Sequence, residues 1–140
     1  YIKGLSDLNM KESSFIADFY LWFRSGENFN DFDIDFENLI SHSEYNMIDQ
    51  SKEGNTYFRV YHIKSEFKFE LDFHEYPFDR HRLFIQFRHA RKAKAEIMYT
   101  YDELGPPLSL QQLIPENEIK LRSPALNTIK AVSGVDWNAY

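Results

Sequence analysis

Ser13-Ser14-Phe15-Ile16-Ala17-Asp18-Phe19-Tyr20-Leu21-Trp22-Phe23-Arg24 puts Phe15, Ala17, Phe19, Leu21 and Phe23 on alternate positions, with Asp18, Tyr20, Trp22 and Arg24 between them. Successive side chains of a strand point to opposite faces, so this spacing predicts a β-strand with one apolar face. Thr56 to Leu71 repeats the pattern over a longer run. There Tyr57, Arg59, Tyr61, Ile63, Ser65, Phe67, Phe69 and Leu71 share one face, and Lys64, Glu66, Lys68 and Glu70 lie on the other. Leu83, Ile85, Phe87 and His89 then alternate with Phe84, Gln86 and Arg88. The last two segments flank a loop through Pro77, and they are expected to pair antiparallel.

Outward from these strands the signals shorten. Gly4 to Glu12 is rich in Gly, Ser, Asp and Asn and reads as a connection, because these residues favour turns over pairing. Phe29 to Glu37 alternates Phe32, Ile34 and Phe36 with Asp31, Asp33, Asp35 and Glu37. Ser41 to Asn55 is polar and ends in a turn signal, Glu53-Gly54-Asn55. Ile97, Tyr99 and Tyr101 suggest another strand, which Gly105-Pro106-Pro107 breaks. Leu110 to Ile114 reads as a helical turn limited by Pro115. Ile119 to Leu121 and Thr128 to Trp137 read as strands on either side of a Ser123-Pro124 loop. Several short strands with turn signals and almost no helix predict an all-β fold. The expected architecture is an antiparallel Ig-like β-sandwich over residues 1–140, with at most one or two short helices.

Composition narrows the function classes. The 140 residues are 43% hydrophobic, enough for one core, and the 17% aromatic content suits pleated surfaces. A net charge of −6 argues against a nucleic-acid partner, which requires a basic stripe. There is no cysteine, hence no disulfide framework or thiolate metal site. No apolar run approaches the ~20 residues that span a bilayer as a helix. The sequence starts in mid-pattern at Tyr1, as expected of a piece of a longer protein.

No phosphate-binding Gly-rich loop, nucleophile elbow or His-Glu-x-x-His motif occurs, and the expectation is a non-enzymatic protein without a cofactor. His42, His62, His74, His81 and His89 are scattered. His89, on an apolar strand face, reads as a hydrogen-bonded core or rim residue. The ladder Asp31, Asp33, Asp35 and Glu37 offers hard oxygen ligands at every second position, a weak alternative for calcium. The EF-hand glycine is missing, and a solvated strand edge is the simpler reading. Asp72 and Asp79 resemble an acid/base pair in spacing, but both lie near Arg80 and Arg82, which would keep them ionised and structural.

Asp72 followed by Tyr76-Pro77-Phe78-Asp79 and the strand Leu83 to Phe87 resembles the signature loop of the pentameric ligand-gated ion channels, the Cys-loop receptor superfamily, especially its bacterial members. Ser6-Asp7-Leu8 through Arg24 resembles the first two strands of the same extracellular domain. The family's bracketing cysteines correspond to Phe69 and Leu83, and bacterial relatives also lack them. The Trp-x-Pro motif of the agonist site has no counterpart between Ser41 and Asn55.

The resemblance implies an extracytoplasmic ligand-binding or sensory domain at the periplasmic or extracellular face of a bacterial membrane. Its implied partners are a small-molecule ligand, a membrane or signalling module of the same parent protein, and further copies in a pentamer. Asp72, Tyr76, Pro77, Phe78, Asp79 and Arg80 would form the coupling loop. Ligand contacts are expected from Tyr20, Trp22 and Arg24 and from Arg88, His89 and Arg91, because aromatic and guanidinium groups hold cations or carboxylates. The alternatives are a protein-protein interaction module, or a carbohydrate-binding module using Tyr20 and Trp22 as a platform.

Overall fold

The computed structural model describes residues 1–27, 34–71, 82–90, 99, 102–115, 130–132 and 135–138. Strands β1 (Ile2–Asn9), β2 (Ser14–Ser25), β4 (Leu39–Glu53) and β5 (Thr56–Lys68) form one antiparallel sheet in the order β1-β2-β5-β4. Its centre is the uninterrupted β2–β5 ladder, from Ser14 opposite Lys68 to Ser25 opposite Tyr57. Strand β3 (Ile34–Phe36) pairs antiparallel with β6 (Phe87–His89) in a second layer. A short pair, β7 (Lys130–Val132) and β8 (Val135–Asn138), completes the described strands, and α1 (Leu108–Gln111) is a single helical turn. The fold is therefore all-β, antiparallel and sandwich-like.

Period-two alternation decides what is inside. Phe15, Ala17, Phe19, Leu21 and Phe23 of β2 join Tyr61, Ile63 and Phe67 of β5 on the inner face, where Phe36, Ile85 and Phe87 of the second layer meet them. Phe67 is fully buried, with its ring centroid 5.9 Å from that of Phe15, 6.1 Å from Phe19 and 5.6 Å from Phe36. Edge and tilted contacts of this kind match the aromatic quadrupole. Asn38 ties the layers together. Its side-chain amide donates to the carbonyls of Lys68 (2.8 Å) and Phe84 (2.7 Å), and its Oδ1 accepts from the Gln86 N–H (2.9 Å).

Three expectations are corrected. Gly4 to Glu12 is not a connection, since most of it belongs to edge strand β1, where Gly4, Leu5 and Ser6 face Asp18, Ala17 and Ile16. The polar segment after Ser41 is likewise strand, the longest of those described. Both are edges of the sheet and largely exposed, so they need no apolar alternation. Register shifts between Leu39 and Ser41, His42 and Glu44, and Met47 and Asp49 also break the period of β4. Finally, β5 does not pair with the strand after the Pro77 loop. Both of its edges are taken by β2 and β4, and β6 crosses to β3 in the other layer.

Of the remaining signals two agree, whereas the expected strand from Leu83 to His89 pairs only over Phe87–His89, and Tyr99, the one described residue of the expected strand from Ile97 to Tyr101, lies outside any strand. Gly54, at φ +61°, makes the β4–β5 hairpin turn, a conformation that favours glycine. The helical turn expected from Leu110 to Ile114 begins earlier, as α1 at Leu108, with Gln111 N–H on Pro107 O and Ile114 N–H on Leu110 O. The expected strand over Ile119 to Leu121 and the Ser123-Pro124 loop lie outside the described residues.

Candidate functional site

The outward residues of β2 at its C-terminal half are Tyr20, Trp22 and Arg24, and their partners across the ladder are His62, Val60 and Phe58. Alternation brings aromatic and cationic groups onto one patch of sheet. The chain returns over this patch at residues 102–114. Gly105, at φ +85°, and the following Pro106-Pro107 turn it toward α1. Pro107 and Leu110 are fully buried, and Leu110 and Ile114 pack on Val60 beside Tyr20 and Trp22.

Asp102 anchors the near end of this strap. Its Oδ2 accepts the Trp22 Nε1–H at 2.9 Å and the Arg24 Nε–H at 3.0 Å, and its Oδ1 accepts the Leu104 N–H at 3.1 Å. Arg24 also donates from Nη2 to Gly105 O at 3.1 Å and lies over the Phe58 ring, 4.7 Å from its centroid. The side chains of Arg24 and Asp102 keep only 27% and 18% of their exposure, so these charged hydrogen bonds are far less screened than surface ones. At the far end, Ser109 Oγ donates to Asp49 Oδ2 of β4 at 2.7 Å, and Ser51 Oγ donates to the same oxygen at 2.8 Å.

Next to the strap, Tyr20 stands against Tyr1 (ring centroids 6.4 Å apart, 18° between planes) and His62 (5.1 Å). Lys3 Nζ sits 5.3 Å from the Tyr20 centroid. A row of polar side chains runs across the sheet with one residue from each strand. Lys3 of β1 reaches Asp18 of β2 at 3.5 Å, His62 of β5 lies 2.7 Å from Asp18, and Glu44 of β4 is 3.7 Å from His62. A cation over Tyr20 and a carboxylate on Trp22 and Arg24 are both supplied from within the chain. Tyr20 stacks on Tyr1 and Trp22 donates to Asp102, so both rings of the expected sugar platform are engaged within the chain.

Arg88 and His89 stand apart from that patch, on β6 of the second layer. Arg88 is exposed and donates from Nε and Nη2 to Asp35 Oδ2 at 3.1 and 3.0 Å, with Glu37 at 3.7 Å. The guanidinium occupies the space between two carboxylates of the acidic ladder. No three His, Asp or Glu side chains are grouped as a metal site among the described residues. His89 is buried. Asp31, Asp33, Arg91 and the whole coupling loop, Asp72, Tyr76, Pro77, Phe78, Asp79 and Arg80, lie outside the described residues.

Two groups escaped the sequence reading. Asp102 carried no signal, since a single carboxylate before a Gly-Pro-Pro break looks like an ordinary turn residue. Tyr99 was placed only in a strand pattern. Its ring lies 5.3 Å from Phe23 and 5.9 Å from Phe87, and its hydroxyl is buried with no hydrogen-bond partner among the described residues. Burial pushes the Tyr99 phenol up to about 12, and the neighbouring Tyr61 and Tyr45 add to the shift.

Comparison with known protein families, with curated proteins and with solved structures finds no match for this chain.

Proposed function

We propose that this chain is a non-enzymatic sensory or ligand-binding β-sandwich, which couples a binding event to a membrane or signalling module of its parent protein. It would work at the periplasmic or extracellular face of a bacterial membrane. The observation that carries the reading is the grip of Trp22 and Arg24 on one carboxylate. Two adjacent outward positions of the central strand converge two N–H donors on a single oxygen, at a partly buried site. Such pre-aimed donors are how proteins select carboxylates. The likeness of the Asp72 to Asp79 loop to that of the pentameric ligand-gated channels supports the coupling role and the possibility of a ring of copies.

Thermal unfolding in the presence of amines, amino acids and simple carboxylates tests the reading. A compound that raises the melting temperature with rising concentration is the expected result. A flat response across all three classes would remove it.

A second reading is favoured by strand β4. Among the described residues it is an edge strand of the sheet, and it exposes Ile40, Tyr45, Met47 and Ile48. Edge backbone with apolar side chains is a template for pairing with another protein. Light scattering of the wild type and of Ile48→Lys separates the two. A protein-binding module would lose association in the variant, whereas a ligand-binding one would keep its thermal response.

A further inference from the structure

The strap has the chemistry of a ligand. It presents to one patch of sheet a carboxylate, Asp102, and an apolar body made of Pro107, Leu110 and Ile114. The patch answers with N–H donors from Trp22 and Arg24 at one end and with Val60, Phe58 and the Trp22 and Tyr20 rings as its floor. Without the strap this floor would stand in water. Val60 is fully buried although it points away from the main core, and the residues that bury it include Leu110 and Ile114.

We propose that residues 102–115 are a releasable strap, and that Asp102 is a built-in occupant of a binding site for carboxylates with an apolar tail. The proposal rests on the ligand-binding reading above and names its ligand class. A free apolar carboxylate competes with Asp102 for Trp22 Nε1 and Arg24 Nε, and its tail takes the place of Leu110 on Val60. Binding and strap closure are mutually exclusive, so ligand arrival displaces a segment fastened at its other end to β4 through Ser109 and Asp49. This converts occupancy into a rearrangement that another module can sense.

Charge complementarity fixes the class. The donors converge on one oxygen with the charge of Arg24 behind them, so a neutral amide of the same shape binds far more weakly. The strap also competes at the high effective concentration of a tethered group, so the wild type responds weakly to a ligand that the freed site holds well.

Hexanoate, with hexanamide as its neutral counterpart, is a suitable probe. Its titration into the wild type, Asp102→Asn and Asp102→Ala is followed through the Trp22 indole N–H resonance. Both variants are expected to bind hexanoate at least about tenfold more tightly than the wild type, because the tethered competitor is gone. Hexanamide should leave the resonance unmoved, and Arg24→Gln combined with Asp102→Asn should abolish the response. A folded Asp102→Asn that ignores hexanoate, or that takes hexanamide equally well, overturns the proposal.

Should both variants fail to fold, amide exchange in the wild type decides. Saturating hexanoate should speed exchange at Leu110 and Ile114, and unchanged rates would overturn the strap. A wild type that responds to a different compound while Asp102→Asn ignores hexanoate would leave the sensory reading standing and remove this one.

Discussion

The two faces of the four-stranded sheet are covered in different ways. The inner face is closed by rings: Phe15, Phe19, Phe67, Phe36 and Phe87 meet from both layers in an apolar core, beside the Asn38 hydrogen bonds that tie the layers. The outer face is closed at one end by a strap with a small apolar anchor, Leu110 and Ile114 on Val60, together with directed polar contacts to Asp102 and Asp49. Apolar burial is non-directional and strong, which suits a permanent core. Charged hydrogen bonds at partial exposure are directional and exchangeable with solutes, which suits a surface that opens.

The largest test of this contrast is truncation of the core. Phe67→Ala should cost about 3–5 kcal/mol and lower the denaturant midpoint of the whole domain, because three neighbouring rings lose their partner. Leu110→Ala should cost about 2 kcal/mol or somewhat more and act locally. The mark of a local effect is faster proteolysis within 102–115 with the main unfolding transition retained. Equal loss of cooperativity in both variants would erase the distinction between core and strap.

The smallest effect has the opposite sign. Tyr99→Phe removes a buried hydroxyl that has no partner among the described residues, and it should stabilise by about 1 kcal/mol in denaturant titration. It should also change alkaline behaviour. With the folded phenol near 12 and the unfolded one near 10, the unfolded chain gives up its proton first as pH rises. Stability from this group is whole below pH 10 and is lost as pH climbs toward 12. The Phe variant should lack that share of the alkaline decline. A destabilised Tyr99→Phe would show that the hydroxyl has a partner.

The inner face was legible in the sequence, because one rule governs it. Phe15 to Phe23 and Tyr61 to Phe69 carry a period of two, and the structure buries those alternating sets; earlier in β5 the rule fails, since Tyr57 and Arg59 are half-buried while Phe58 and Val60 of the opposite face are buried. The sheet edges were not legible. β1 and β4 make their pairing through backbone groups while their side chains face water, so turn-forming residues such as Gly4, Ser6 and Asn46 are tolerated there. The partners of β5 were also out of reach, since the choice between β6 and β4 is made by which layer the chain re-enters.

The candidate site was half legible. Alternation identified Tyr20, Trp22 and Arg24 as one outward patch with affinity for carboxylates and cations. It gave no sign that Asp102, at 78 residues from Arg24, supplies the carboxylate, or that Lys3 supplies the cation. Contacts between distant segments are set by topology, which local periodicity does not encode.

The directed character of the outer face rests on the bond between Arg24 and Asp102, and a double-mutant cycle of Arg24→Gln and Asp102→Asn, read by denaturant unfolding, measures it most directly. A coupling of about 1–3 kcal/mol is expected of partly buried charged hydrogen bonds. A coupling below about 0.5 kcal/mol, the level of an exposed ion pair, would contradict a carboxylate-selective grip and leave the strap held by apolar contact alone.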